Sequence, residues 1–341
     1  MKRTDVRAGR VLVVGGYGAV GATVTATLGE WFPGRIVPGG RSRGARVDVR
    51  DPEGFGRVLD GLGDVVAVVL CVEPPDARVA GLCLERGIHV VDVSADRALL
   101  DGVAAHHDLA VASGATAVLS VGVAPGLTNL LAHRAHTAVG GARRLDLTVL
   151  LGSGERHGED AVRWTLDSLV EPAPRGGAAV RVGLPGFGMR RAHAFPFSDQ
   201  FTLARTLGVP EVTTRFCLDS RPLTAALFAL RGTGPLRAAH ARPALRRLLT
   251  DSVRRVHLGG DGFALRADAY GDGDGDGRRV SYALTGNGQS RASGLVTAHV
   301  TRALLTGTLP PGTHHIEHLP PLAHIPEALT TDGVRVYRRS R

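Results

Sequence analysis

Lysine is all but missing from this chain: Lys2 is the only one in 341 residues. No internal ammonium is at hand for a Schiff base or for proton donation. The Tyr-x-x-x-Lys pair of short-chain dehydrogenases and the lysine of a Walker A loop are both excluded. Cysteine is scarce as well. Cys71, Cys83 and Cys217 stand in no Cys-x-x-Cys or Cys/His spacing, which argues against a disulfide framework or structural zinc site and for reduced, mostly buried thiols. Long apolar runs are lacking. The longest, Val65 to Val72, has the length of a strand and falls far short of the ~18 residues of a membrane span. The basic N-terminus is followed by no secretory apolar region, so the expected location is the cytoplasm. The net charge is +9, yet the basic residues are scattered and form no basic helix or tail. Neither a nucleic acid nor a membrane is expected as partner.

The first 125 residues alternate apolar strand-like and amphipathic helix-like segments. Strands are expected at Arg10–Val14, Arg35–Val37, Arg46–Val49, Asp64–Cys71, His89–Val93 and Thr116–Val121. Helices are expected at Ala19–Trp31, Pro52–Leu62, Asp76–Arg86 and Arg97–His107, with Asp51 capping the second and Gly87 ending the third. This rhythm predicts an α/β fold, a doubly wound parallel Rossmann sheet. The pattern then changes. A long strand over Arg143–Leu151, a helix over Asp160–Val170, strands from Ala178 to about Ala283 and helices near Phe201–Leu207 and Leu223–Leu249 read as an inserted α+β domain on a mixed sheet. Ser290–Leu305 reads as a strong helix, followed by a Pro/His-rich tail. The expected domains are 1–128 (Rossmann), 129–288 (substrate and dimerisation) and 289–341 (a returning helix and tail packing on the Rossmann domain).

The segment VLVVGGYGAVG sets a strand directly before Gly16-x-Gly18-x-x-Gly21, and a helix follows. In that context the three glycines read as a dinucleotide turn: one for the tight bend, one for close approach to a pyrophosphate, one for helix packing. The N-terminus of the next helix adds N–H groups and a positive dipole. Gly16, Tyr17, Gly18, Ala19 and Val20 are the expected cofactor contacts. About 20 residues on, an NAD enzyme places a carboxylate for the ribose 2′-hydroxyl. Here the chain reads Gly39-Gly40-Arg41-Ser42-Arg43, so Arg41, Ser42 and Arg43 favour the 2′-phosphate of NADP(H). The alternative is an Arg41 that merely solvates its loop, with both cofactors used.

Together GGYGAVG, GGRS, LCVEPPDARVAGLCLERGIHVVDVSAD, GVAPGLTNLLA and GNGQSRASGLVTAHVTRALLTGTLPPG resemble the saccharopine dehydrogenase-like family, of the saccharopine reductase and carboxynorspermidine dehydrogenase type. The resemblance covers about 1–135 and 285–320. It implies a split Rossmann domain, a homodimer, and hydride transfer at the C=N bond of an amino-acid-derived imine or secondary amine. It implies that Val72, Glu73 and Pro74 line the cofactor, that Ser94 reaches the nicotinamide ribose, and that Pro125 and Gly126 lie near the nicotinamide. Pro74 and Pro125 read equally well as turn residues.

Such chemistry needs a proton relay and a carboxylate clamp. His157, in the polar turn Glu155–Asp160, is the candidate relay, since imidazole titrates near neutrality. Glu155 is a further candidate contact for substrate, Arg163 is the candidate clamp and Trp164 a candidate wall. Asp199, with Gln200 beside it, either pairs with a substrate ammonium, orients His157, or caps its helix together with Ser198. The histidine groups His133/His136 and His314/His315/His318 are poor metal sites because no other ligand type accompanies them. Asp272–Gly277 copies the start of an EF-hand loop, but Ala283 stands at its last position and a hairpin turn explains it better. No metal is expected. The leading reading is an NADP(H)-dependent oxidoreductase. The alternatives are reduction of a ketone or activated C=C in a specialised pathway, and a non-catalytic NADP(H) sensor.

Overall fold

The computed structural model describes residues 8–155, 159–170, 178–231, 233, 242, 259–271 and 278–340. By contacts the chain divides into two units, Met1–Leu127 with Ser290–Ile325 and Thr128–Gln289 with Pro326–Arg341.

The first unit opens with β1 (Arg10–Val14), α1 (Gly21–Trp31), β2 (Ile36–Gly40), β3 (Ala45–Arg46), α2 (Pro52–Leu62) and β4 (Val65–Leu70). It continues with α3 (Arg78–Glu85), β5 (His89–Asp92), α4 (Arg97–Ala104), α5 (His107–Ser113) and β6 (Thr116–Leu119). β4 is buried at every position, as a β-branched run between two helical layers must be. α2 starts where expected: Asp51 accepts the N–H of Gly54, and Pro52 fills the first turn. The segment Arg97–His107, expected to be one helix, is instead two. His106 steps out of helical geometry and its Nδ1 lies 3.0 Å from the Gly102 carbonyl oxygen, so α4 ends and α5 begins without a glycine or proline to mark the break.

All strands of this sheet pair in parallel, in the order β13-β6-β5-β4-β1-β2-β3, where β13 is Gly312–His315. The order reverses direction between β4 and β1. In an open α/β sheet that switch point, at the carboxyl ends of the strands, is where ligands bind. The chain leaves this unit after β6, and comes back through a long helix (Gln289–Leu305) to add β13 beside β6.

The second unit carries α6 (Thr128–Ala138), β7 (Arg144–Leu151), α7 (Glu159–Val170), β8 (Val180–Leu184), β9 (Gly188–Ala194) and α8 (Ser198–Thr206). β10 (Glu211–Leu218), α9 (Arg221–Ala229), β11 (Gly262–Tyr270), β12 (Arg279–Asn287) and β14 (Arg335–Ser340) follow, and α10 denotes the returning helix Gln289–Leu305. The sheet is mixed, in the order β14-β12-β11-β7-β10-β9-β8, with only β7 and β10 parallel. Leu145, Leu147, Val149, Phe216 and Leu265 point to one face and are buried. α6 packs against β11 and β12, and α8 against β10. The opposite face carries a small apolar cluster, Leu150, Leu184, Ala192, Cys217 and Ala264, and beside it a set of charged pairs. Asp146 pairs with Arg215 at 2.8 Å, and Asp268 takes Arg266 at 2.8 Å, Arg279 at 3.1 Å and the Ser281 hydroxyl. Hydrogen bonding to several donors is what makes so buried a carboxylate as Asp268 tolerable.

The tail differs from expectation. Residues 289–341 do not all join the first unit: β14 hydrogen-bonds to β12 and completes the second sheet. Arg335, Arg338 and Arg339, flanking Val336 and Tyr337, give this segment an edge strand's character. Among the described residues no helix is long and apolar enough to cross a membrane.

Candidate functional site

The glycine turn is built by close contacts. Gly18 N–H donates to the Gly15 carbonyl at 2.9 Å, and Thr25 Oγ1 donates to the Gly16 carbonyl at 3.1 Å. A Cβ on Gly21 would stand 2.1 Å from the Gly15 carbonyl oxygen, so any side chain there would push α1 off the turn. α1 has no side-chain cap and no acidic residue in its first turn. An uncapped helix start behind a glycine turn suits an anion. Tyr17, Gly18 and Ala19 are exposed around it and Val20 is half-buried, while Gly16 is buried beneath. These features fit a dinucleotide pyrophosphate.

β2 ends in a turn carrying Arg41, Ser42 and Arg43, all exposed. The sequence shows no carboxylate here, but folding brings one close. β3 pairs with β2, and this places Asp48 where the Arg41 charge reaches it. Arg50 occupies that carboxylate, donating from its backbone N–H at 3.0 Å, from Nε at 2.9 Å and from Nη2 at 2.6 Å. Those bonds hold the Asp48 carboxyl down to about 2. Asp48 is thus the carboxylate that a linear reading overlooks, and it is already matched by its own arginine.

Just past the carboxyl end of β4, beside the end of β1, lie Val72 and Glu73, both half-buried, and Pro74, buried. The Val72 side chain reaches within 2.6 Å of where a Gly15 Cβ would stand, so these two strand ends meet. At the end of β5, Asp92 is wholly buried and its Oδ1 accepts the Ser94 backbone N–H at 2.8 Å. Burial pushes the Asp92 carboxyl up to about 6, against the pull of the Ser94 bonds. Ser94, the expected ribose contact, is itself buried, and its backbone N–H is the group that anchors Asp92. Burial and the nearby Asp92 push the Cys71 thiol up to about 12, which leaves it unreactive at neutral pH. Past β6, Pro125 and Gly126 are buried in the loop leading to Leu127, and Val123 N–H donates to Ser293 Oγ of α10 at 3.2 Å.

In the second unit, the candidate relay His157 lies outside the described residues, as does the EF-hand-like stretch Asp272–Gly277. Shortly before His157 in sequence, Ser153 joins a hydrogen-bonded knot around Asp219. Asp219 accepts from the N–H groups of Ser153 at 2.9 Å, Ser220 at 2.8 Å and Gly260 at 2.7 Å, and from the Ser153 hydroxyl. These bonds outweigh its partial burial and lower the Asp219 carboxyl below the usual carboxylate range. Glu155, expected to contact substrate, has its Oε2 taken by the Gln289 N–H at 2.7 Å, where a carboxylate complements the start of α10. Arg163 is half-buried on α7. Trp164 packs on Phe195 and Phe197, ring centroids 5.3 and 5.2 Å away, as part of a cluster that includes Phe216, Phe228 and His193.

Asp199 is fully buried and accepts from Thr214 Oγ1 at 2.6 Å, and Gln200 Oε1 accepts the Thr214 backbone N–H at 3.3 Å. The residue before α8 is Phe197, and neither Ser198 nor Asp199 stands in the capping position. Asp199 and Gln200 therefore tie α8 to β10, a job the sequence gives no sign of. His136 Nδ1 accepts the Ala142 N–H, and His315 Nδ1 lies 2.9 Å from Ser120 Oγ. Among the described residues no group of three or more potential ligands is placed to hold a metal ion.

Three solved structures align along nearly the whole chain. Apo saccharopine dehydrogenase (L-Glu forming) from Saccharomyces cerevisiae is 15% identical, covers 98% of this chain and 100% of its own, and has a TM-score of 0.67. The C. glutamicum DAP dehydrogenase in complex with DAP is 17% identical, with 96% and 99% covered and a TM-score of 0.49. An engineered D-amino acid dehydrogenase bound to NADP+ is also 17% identical, with 94% and 98% covered and a TM-score of 0.49. No protein-family model and no curated protein matches the chain. The first of these likenesses defines the class: a Rossmann-type α/β protein with a second, mixed sheet. The fold is that of saccharopine dehydrogenase.

Proposed function

We propose that the chain is an NADP(H)-dependent oxidoreductase that moves hydride to or from an amino-acid-derived imine or secondary amine. The observation that carries the cofactor half of this reading is the glycine turn before the uncapped α1, set beside the exposed Arg41–Ser42–Arg43 turn. NADP(H) supplies the hydride chemistry when bound. The protein's own part is to cradle the pyrophosphate on backbone N–H groups, to meet the 2′-phosphate with Arg41 and Arg43, and to present the dinucleotide at the carboxyl edge of the sheet. Val72, Glu73 and Pro74 line that edge.

The second unit supplies the substrate's contacts. In this reading Arg163 clamps a carboxylate, Trp164 gives an apolar wall, and His157 exchanges the proton with the nitrogen. The saccharopine dehydrogenase (L-Glu forming) that shares the fold supports a nitrogen-bearing substrate over a plain ketone. The test is a calorimetric titration with NADPH, NADP+, NADH and NAD+, followed by turnover assays on imines formed from amino and keto acids. Selective saturation by the phosphorylated pair is expected. Tighter binding of NADH, or no binding at all, would refute the reading.

A further inference from the structure

Tyr17 is unusual among the described aromatic residues: it sits in the glycine turn and is 48% exposed. Its ring does not lie idle over solvent. A Cβ on Gly40 would stand 3.8 Å from Tyr17 Cδ2, and one on Gly44 would stand 2.6 Å from Tyr17 Oη. The phenol therefore leans across the turn that follows β2, with its hydroxyl at Gly44. Gly44 has φ +63°, and a Cβ there would also fall 2.1 Å from the Pro38 carbonyl oxygen. Only glycine fits, and the turn folds back tightly enough to leave room for the phenol.

That same turn bears Arg41, Ser42 and Arg43, all exposed. The two guanidinium groups and the Ser42 hydroxyl of that loop are thus joined, at the carboxyl end of β2, by the Tyr17 hydroxyl reaching over from the glycine turn. The carboxylate within reach of Arg41, that of Asp48, is taken by Arg50 through three hydrogen bonds. The donor set suits a phosphate monoester, whose three outer oxygens accept from several donors at once.

We propose that the Tyr17 hydroxyl is a specificity-determining donor to the 2′-phosphate of the cofactor, acting with Arg41, Ser42 and Arg43. The proposal rests on reading the first unit as an NADP(H) site. Its physical basis is that a phenol carries no charge. It strengthens binding only where an acceptor oxygen stands within hydrogen-bond reach, and it gains little from a bare 2′-hydroxyl that water serves equally well. The residue also joins two halves of the site, because its backbone belongs to the pyrophosphate turn and its hydroxyl to the ribose end.

The test is Tyr17→Phe, which removes one oxygen from an exposed ring. Dissociation constants are measured by calorimetry for NADP+, NAD+, 2′,5′-ADP and 5′-ADP, on the parent and the variant. The expected result is a weakening of about tenfold for NADP+ and 2′,5′-ADP, the size of one lost hydrogen bond to a charged group. NAD+ and 5′-ADP should change by less than about twofold. Equal losses on all four ligands would overturn the proposal, because the ring would then be packing on adenine or shaping the turn. No loss on any ligand would overturn it as well. A parent protein that binds NADP+ no better than NAD+ refutes the underlying cofactor reading and the proposal with it. A parent that prefers NADP+, with a variant that keeps the whole preference, refutes the hydroxyl's role alone.

Discussion

Asp92 Oδ1 accepts the backbone N–H of Ser94 at 2.8 Å, at the carboxyl end of a strand where the whole Asp92 side chain is out of water. The bond holds the chain in the turn that leads to α4, whose own cap is Asp96 accepting from Leu99 N–H. Because burial raises this carboxyl to about 6, the native state holds its proton over a range where the unfolded chain has lost it. Native Asp92 therefore binds more protons than unfolded Asp92 between about pH 4 and 6, and its contribution to stability falls as pH rises through that window. Asp92→Asn keeps an oxygen for the Ser94 N–H and removes the titration. The variant is expected to gain on the parent by up to about 2 kcal/mol at pH 7.5 and to lose that gain by pH 4. Thermal melts across this range give the answer. A variant whose advantage grows as the pH falls would show the sign to be wrong.

Asp219 gathers the N–H groups of Ser153, Ser220 and Gly260 on one carboxylate. Asp219→Ala should cost about 2–3 kcal/mol in denaturant titrations, since three backbone donors lose a charged acceptor. The lowered carboxyl means that this stabilisation is present above the ordinary carboxylate range and is lost as pH falls through the native value. A loss under about 0.5 kcal/mol would show that water replaces the carboxylate.

Arg41→Ala should raise the Michaelis constant for NADPH about tenfold while leaving that for NADH nearly unchanged, because a guanidinium pairs with the extra phosphate alone. Asp48, held by Arg50, keeps its partner in the variant. An equal rise for both cofactors would place Arg41 on the adenine or the pyrophosphate.

His157→Ala tests the relay. Loss of a general acid or base should lower kcat by about a hundredfold or more with cofactor affinity intact. Turnover near the parent rate would remove His157 from the chemistry.

Much of the first unit was legible because the central parallel strands β1, β4, β5 and β6 are buried on both faces and read as short, largely apolar runs. β4, six apolar residues between Asp64 and Cys71, is the clearest case. The glycine turn was legible because its requirement is local: Gly21 must lack a Cβ against a carbonyl only six residues away. β13 was not, because Gly-Thr-His-His carries no apolar pattern, and it is a strand only because β6 offers it an edge. The Asp48–Arg41 proximity was hidden for a similar reason, since it arises from the pairing of β3 with β2. The anchoring role of Asp199 depends on Thr214 in another element, and the Glu155 contact on Gln289, so no local pattern announces either.

β13 also sets an order of events during synthesis. The strand that covers the outer side of β6 ends at His315, so a ribosome has made most of the chain before the first sheet receives its last member. Until then β6 is an open edge, able to pair with the wrong partner. The first unit begins first and is sealed late, and cutting the chain after residue 128 would yield a sheet missing one border, not a separable domain.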